Sequence, residues 1–212
     1  MELLFLRAKE HKKISFIALW ILIVAAFVGF YVVFNTHFLN FWWNLSSVIV
    51  VLALLGILSR GDIAWKVNRY EAATFIWVSF ATYFLFWILN FIASFSTLFR
   101  NDIKNVYTLG NGLSRWEIAI FIVVIAIAEE LFWRGFVTKA FLERTGIIVS
   151  LFVPALIYGA VHIATGNIAL MLSAFILGLI WGAMYILTGN VAVSMYSHII
   201  WDLLIFIVFP LK

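Results

Sequence analysis

The chain lacks cysteine and is poor in proline and in charged residues. The absence of cysteine excludes disulfide bonds and thiol catalysis. Charged side chains make up 11% of the 212 residues, whereas a soluble globular domain carries about 25%. Hydrophobic residues make up 66%, which is more apolar surface than a chain of this length can bury within itself. We therefore predict an integral membrane protein, whose solvent is lipid.

The apolar residues form continuous runs without the alternation of a membrane β-barrel, which predicts an all-α, polytopic bundle of transmembrane helices. About seven segments approach the length of a span: roughly 14–34, 44–58, 72–98, 116–138, 147–164, 168–187 and 191–209. Gly178 and Gly182 form a GxxxG pair, which is typical of close helix packing. No linker separates the spans, so residues 1–212 are predicted to form a single membrane domain.

The basic residues predict the orientation of this bundle. Four lysines and arginines lie within residues 7–13, and Lys139 and Arg144 follow the fourth span. Because Lys and Arg concentrate on the cytoplasmic side of a membrane, we expect a cytoplasmic N-terminus. The loop 99–115 disagrees, since its three basic residues would then lie outside. The compact chain suits the cell membrane of a prokaryote.

Six ionisable residues fall inside the apolar segments, where a charge costs a few kcal/mol. They lie on three of the last four predicted spans, so one polar cavity among the later helices would account for all of them. The six are Glu129, Glu130, Arg134, His162, His198 and Asp202.

Helical spacing divides these groups. Glu130 and Arg134 are four residues apart on one face and can neutralise each other as an ion pair. Glu129 lies about 100° around the helix, which leaves it without an evident local partner and suits it to act as a base. His198 and Asp202 are also four residues apart, and the carboxylate can orient the imidazole. Structural ion pairs and packing hydrogen bonds would explain each feature separately.

Three motifs follow one another on hydrophobic segments: EELFWR at 129–134, YGAVH at 158–162 and HIIWD at 198–202. In this order they resemble the CPBP family of intramembrane endopeptidases, which comprises CAAX proteases and bacteriocin-processing enzymes and is also called Abi. The resemblance covers about residues 116–209, whereas the spans within 1–115 are unspecific. It implies that the chain hydrolyses a peptide bond within the membrane.

The resemblance also implies catalytic roles. Glu129, helped by His162, would activate the water that attacks the scissile carbonyl. His198 and Asp202 would stabilise the oxyanion. Asp202 stands where asparagine is often found, and an ionised carboxylate cannot donate to an oxyanion. Either His198 alone donates, held by Asp202, or Asp202 is protonated.

Three further motif residues, Glu130, Arg134 and Tyr158, would brace the site or hold the substrate. Tyr158 stands where phenylalanine is commoner in the family, so its hydroxyl is either an additional hydrogen-bond donor or without a role. Ser194 and Ser197 are close to His198 in sequence, although no clear serine–base dyad is visible.

We expect no cofactor. The alternative is a catalytic Zn²⁺ held by Glu129, His162 and His198, with water as its fourth ligand. No HExxH motif is present, and the family resemblance favours the metal-free mechanism.

The expected partners are the lipid bilayer and a membrane-anchored protein or peptide substrate, which is lipid-modified or carries a C-terminal sorting signal. No nucleic acid is expected, and the sequence specifies no oligomeric state. Two other functions stay open. A proton-coupled transporter would use the buried carboxylates and histidines as a relay, although inverted repeats are not visible. A non-catalytic bacteriocin-immunity protein on the same fold would not need the intact motifs.

Overall fold

Helices account for the regular structure of the computed structural model, which describes residues 14–36, 40–59, 65–110 and 112–211. No β-strand occurs in these ranges, which confirms the all-α prediction. The α-helices are α1 (Phe16–Asn35), α2 (Phe41–Leu58), α3 (Arg69–Ala93), α4 (Thr97–Thr108), α5 (Arg115–Phe132), α6 (Lys139–Leu142), α7 (Ile147–Ala160), α8 (Ile168–Thr188) and α9 (Val191–Leu203). π-helical turns follow α5 and α9, at Trp133–Thr138 and Leu204–Val208, and the 3₁₀ turn Val161–Thr165 follows α7.

Six segments of the described chain are long and apolar enough to cross a membrane, rather than the predicted seven: 16–35, 41–58, 69–93, 147–165, 168–188 and 191–208. The predicted span that is not among these six is the one formed by α5. Its 18 residues include the four charged side chains Arg115, Glu117, Glu129 and Glu130. Arg115 and Glu117 are exposed, whereas Glu129 and Glu130 are buried by neighbouring helices.

α5 connects the two halves of the bundle. It packs against α2 on one side and against α9 on the other, and α3 packs against α9. α7 and α8 form a closely packed pair, and α8 also contacts α9. α1 contacts both α2 and the 3₁₀ turn after α7. This packing brings the three motif segments together along one side of α5.

Apolar side chains cover the outside of the bundle, as expected where lipid replaces water. Ile17 and Trp77 are more than 70% exposed. In the segment 191–208, 61% of the residues are buried, whereas in the most apolar stretch of α3 only 17% are buried. α3 therefore lies at the periphery and α9 lies in the interior, where its polar residues are shielded from lipid.

The two TGN turns, at 165–167 and 188–190, set the boundaries of α8 and α9. Gly166 and Gly189 adopt the left-handed conformation with φ of 62° and 65°, which favours glycine. The asparagine that follows each glycine caps the next helix: Asn167 accepts from the amide of Leu170, and Asn190 accepts from that of Ala192. Each turn thus ends one helix and begins the next within three residues.

The segment between α3 and α5 contains the amphipathic helix α4, which packs against α8. The buried Asp102 carboxylate accepts a hydrogen bond from the Ala169 amide at 3.1 Å, at the start of α8. The Tyr107 hydroxyl donates to the Ile205 carbonyl at 3.0 Å and accepts from the Leu211 amide at 2.9 Å. Burial raises the pKa of Tyr107 to about 12, so this hydroxyl stays neutral. Asp102 thus attaches α4 to α8, and Tyr107 attaches it to the segment that follows α9.

Two basic residues can be placed relative to the start of α1. Arg144 donates to the Ile14 carbonyl and the Lys66 carbonyl accepts from Asn190, so Lys66 and Arg144 lie at the end where α1 begins. The four basic residues within 7–13 lie outside the described residues. The cytoplasmic N-terminus stays a prediction.

We expect the segment after α6 to face the cytoplasm and α4 to face the opposite side. Because the chain has no cysteine, Thr145→Cys and Asn105→Cys, both at exposed residues, provide single labelling sites. In intact cells, a membrane-impermeant maleimide should modify Asn105→Cys and should reach Thr145→Cys only after permeabilisation. The reverse pattern would invert the predicted orientation.

Close packing of α7 on α8 depends on glycines that face the partner helix. A Cβ atom added at Gly178 would lie 2.9 Å from the Ala155 Cα, which is backbone and cannot move aside. A Cβ added at Gly159 would lie 3.0 Å from the Met171 carbonyl oxygen. At Gly182 the nearest atom is a Leu151 methyl at 3.2 Å, which a rotamer change can displace. The predicted close packing at the GxxxG pair is therefore confirmed, most strictly at Gly178.

We predict that Gly178→Ala lowers the melting temperature in detergent micelles by about 3–10 °C, because an overpacked contact costs roughly 1–3 kcal/mol. Gly182→Ala is the matched control, since it adds the same methyl group on the same helix. Its melting temperature should stay within about 2 °C of wild type. Equal losses in both variants would contradict this account of the α7–α8 contact.

Candidate active site

The motif residues converge on one buried cluster beside α5. Its members come from the end of α5 and the following π turn, from α7 and its 3₁₀ turn, and from α9, and each is 8% exposed or less. They are Glu129, Glu130, Arg134, Tyr158, His162, His198 and Asp202. The predicted polar cavity among the later helices is therefore present.

Each motif segment departs from α-helical geometry next to its polar residues. Arg134 lies in the π turn Trp133–Thr138, and His162 lies in the 3₁₀ turn Val161–Thr165. Asp202 is followed by the π turn Leu204–Val208. Single π turns inside helices occur frequently at functional sites.

The centre of the cluster is the ion pair between Glu130 and Arg134. The Arg134 Nη1 donates to Glu130 Oε1 at 2.8 Å, as the four-residue spacing predicted. A second guanidinium nitrogen, Nη2, donates to the Leu177 carbonyl of α8 at 3.4 Å. His198 Nδ1 lies 3.0 Å from the same Oε1 of Glu130. One carboxylate oxygen therefore joins α5, the π turn and α9.

The His198 imidazole is surrounded by three carboxylates. Its Nδ1 donates to Glu130, because an ionised carboxylate can only accept. On its other side, Nε2 lies 3.4 Å from Asp202 Oδ2 and 3.9 Å from Glu129 Oε2. The predicted pairing of His198 with Asp202 is present, and the contacts with both glutamates are additional.

Glu129 has a direct partner that spacing along α5 did not reveal. The Tyr158 hydroxyl, from α7, donates to Glu129 Oε2 at 2.5 Å. The expectation that Glu129 lacks a partner holds only within its own helix. No hydrogen bond from the described residues reaches the other oxygen, Oε1, and Glu129 lines the cavity described below.

Aromatic rings fill the space between the charged groups. Trp181 of α8 stacks on the His198 imidazole with ring centres 3.7 Å apart and planes inclined by 20°. The Arg134 guanidinium carbon lies 4.9 Å from the centre of the Tyr158 ring and 5.3 Å from that of Trp181. Sequence reasoning missed Trp181, because a tryptophan in an apolar span carries no signal that separates it from packing residues.

His162 lies at the wall of the site rather than at its centre. Its Nδ1 lies 2.9 Å from the Tyr158 carbonyl oxygen, one helical turn earlier. Its ring packs edge-on against Phe30 of α1 at 5.1 Å. His162 also lines the cavity, so it reaches the same space as Glu129.

The two serines near His198 have other partners. The Ser194 hydroxyl donates to the Val191 carbonyl at 3.1 Å, and the Ser197 hydroxyl is 3.2 Å from that of Ser79 on α3. Both are fully buried. The structure therefore gives no support to a serine–histidine dyad.

A cavity of about 600 Å³ adjoins the cluster. Its polar end is formed by Glu129, Tyr158, His162, His198 and Asp202. The remaining walls are mostly apolar. Residues of α3, α4 and α8 contribute to them, with Phe86, Phe99, Ile103, Leu172 and Ile176 among these. The cavity thus combines a small set of reactive groups with room for a hydrophobic chain.

The zinc alternative requires three ligands around one point. Within the described ranges, no group of three or more His, Cys, Asp or Glu side chains is arranged to hold a metal ion. Glu129 and His198 approach each other, whereas His162 lies at the wall of the cavity. Because this arrangement does not supply the predicted ligand set, we derive no step through a metal.

Comparison with known proteins gives a family match, which spans the three motifs. Residues 111–204 match the family model described as Type II CAAX prenyl endopeptidase Rce1-like. No curated protein and no solved structure matches the chain. The helical bundle is that of a polytopic membrane protein. The matched segment carries all three motifs, which confirms the resemblance to the CAAX protease family.

We predict that Arg134→Met destabilises the protein by about 3–5 kcal/mol, because it leaves the buried Glu130 carboxylate without its cation. The double variant Glu130→Gln/Arg134→Met should lose less, since no buried charge is then left unpaired. Equilibrium unfolding in detergent micelles measures both. If the double variant is as unstable as the single one, the two side chains do not neutralise each other.

Proposed function

We propose that the protein is an intramembrane endopeptidase in which Glu129 activates a water for attack on a peptide bond of a membrane-associated protein or peptide. One observation carries this proposal. The Glu129 carboxylate is held at the polar end of an apolar cavity, 3.9 Å from His198 Nε2. The Rce1-like domain supports peptide hydrolysis at the level of the family.

In the proposed first step, Glu129 accepts a proton from a water that lies between the carboxylate and the scissile carbonyl carbon. The proposed acceptor is Oε1, which accepts no hydrogen bond from the described residues, whereas Oε2 already accepts from Tyr158. The water oxygen forms the new bond to carbon, and the carbonyl π bond breaks to give an oxyanion. The oxyanion then re-forms the carbonyl double bond, the C–N bond breaks with its electron pair on nitrogen, and Glu129 gives the proton to the leaving amine.

His198 supplies the donor for the oxyanion. Its Nδ1–H donates to Glu130, so Nε2 is the nitrogen that faces the reacting groups. For Nε2 to donate as well, the proposed mechanism requires His198 as an imidazolium, protonated on both ring nitrogens. Asp202 lies 3.4 Å from this nitrogen. As an ionised carboxylate it cannot donate, so its proposed role is to orient His198 rather than to bind the oxyanion itself.

His162 assists from the wall of the cavity. When Nδ1–H donates to the Tyr158 carbonyl, Nε2 is an acceptor. It can then accept the second hydrogen of the attacking water and fix the direction of its lone pair. Glu130 and Arg134 brace the site, because their pair fixes His198 through Oε1 of Glu130.

The walls of the cavity support a substrate that is itself hydrophobic. Phe86, Phe99 and Leu172 line the space beyond the polar groups, where a lipid-modified or apolar C-terminal segment would be buried favourably. The basic residues at the end where α1 begins support a cytoplasmic N-terminus in the membrane.

A peptidase assay in proteoliposomes tests the proposed function. The probes are an internally quenched peptide whose C-terminal CAAX cysteine is farnesylated, the same peptide without the farnesyl group, and a peptide with an apolar C-terminal segment. Glu129→Gln should lower kcat/KM by at least about 100-fold, because it removes the base. His162→Ala should also lower it, by a smaller factor.

The control is Glu143→Gln, which makes the same chemical change at a carboxylate outside the cavity that pairs with Lys139 and Arg144. It should cleave at the wild-type rate. Equal cleavage of a probe by wild type and Glu129→Gln would exclude Glu129 as the base. Glu129-dependent proton flux in the same liposomes, without cleavage of any probe, would favour a transporter.

A further inference from the structure

Tyr158 contacts three residues of the site with three different parts of its structure. Its hydroxyl donates to Glu129 Oε2 at 2.5 Å, and its ring lies against the Arg134 guanidinium. Its backbone carbonyl lies 2.9 Å from His162 Nδ1. The side chain is 5% exposed, so each contact is shielded from solvent.

The hydrogen bond to Glu129 is a charge-assisted contact between two oxygens. Its length of 2.5 Å is at the short end for an O–H donor and a carboxylate, and such bonds are roughly twice as strong as neutral ones. A glutamate side chain has a soft terminal torsion, so a carboxylate without a partner rotates broadly. Fixing Oε2 on Tyr158 therefore also fixes the direction of Oε1.

The Tyr158 ring is itself held in place, so its hydroxyl is a fixed point. The Trp133 ring lies 5.2 Å away, and the His162 ring packs edge-on at 5.6 Å. Arg134, held by Glu130, lies over the ring face. The ion pair thus helps to fix the tyrosine ring, and the ring fixes the hydroxyl that binds the Glu129 carboxylate.

We propose that the Tyr158 hydroxyl is the positioning group for Glu129. The hydroxyl occupies Oε2 and thereby directs Oε1 at the part of the cavity where the attacking water would bind. This inference rests on the proposed function and deepens it. Tyr158 does not exchange a proton with the substrate. Its effect on the reaction is exerted through the geometry of the base, because small displacements of reacting groups have large effects on rate.

The first test is steady-state cleavage by Tyr158→Phe of whichever probe peptide the wild type cleaves. This change deletes only the hydroxyl and keeps the ring that packs against Arg134 and Trp133. We expect kcat to fall by about 10- to 100-fold with KM unchanged. The matched control is Tyr83→Phe, which deletes a hydroxyl that donates to the Phe209 carbonyl. Its kcat and KM should equal those of wild type.

The second test measures the contact without using activity. Melting temperatures in detergent are compared for wild type, Tyr158→Phe, Glu129→Leu and the double variant. Tyr158→Phe should lower the melting temperature when Glu129 is present, because the buried carboxylate loses its donor. In the Glu129→Leu background the same change should raise it or leave it unchanged, since the hydroxyl then has no acceptor.

The outcomes separate the two proposals. Additive effects on melting temperature would show that the hydroxyl and the carboxylate are not coupled, and would overturn the inference. Coupling together with an unchanged kcat in Tyr158→Phe would overturn the positioning role while leaving Glu129 as the base. Full activity of Glu129→Gln would instead overturn the proposed function, and the catalytic part of this inference with it.

Discussion

The shared oxygen of Glu130 is the contact on which the rest of the site depends. Arg134 and His198 both hydrogen-bond to Oε1, at 2.8 and 3.0 Å. A charge inside an apolar bundle is costly, and a buried pair recovers that cost only with good geometry and further hydrogen bonds. Arg134 meets this condition through Glu130 and the Leu177 carbonyl. The ion pair thus joins α5, α8 and α9 while keeping both charges neutralised.

Two aromatic side chains extend this arrangement to the groups that face the cavity. Trp181 lies between Arg134 and the His198 ring, and Tyr158 lies between Arg134 and Glu129. Their flat faces accept a guanidinium on one side. Close approach of α7 and α8, which Gly178 permits, brings the two helices that carry these rings together. Helix packing and site geometry therefore depend on the same residues.

Local spacing predicted the parts of the site that lie within one helical turn. The pairs Glu130–Arg134 and His198–Asp202 are both present, because residues four apart share a face of a helix. The sequence did not predict that Tyr158 donates to Glu129, since these two residues are 29 positions apart and lie on different helices. It also counted α5 as a span, whereas its four charges set it apart from the six apolar segments.

Composition and motif order were sufficient to indicate a helical membrane protein with a polar cavity of the CAAX protease type. These properties follow from which residues are apolar and which few are not, so they are already present in a single sequence. Only the tertiary structure decided which oxygen of Glu129 accepts from Tyr158 and which nitrogen of His198 lies near that carboxylate. It also placed Trp181 against the imidazole. Those features depend on side chains from different helices, whose relative positions are set by packing rather than by spacing along the chain.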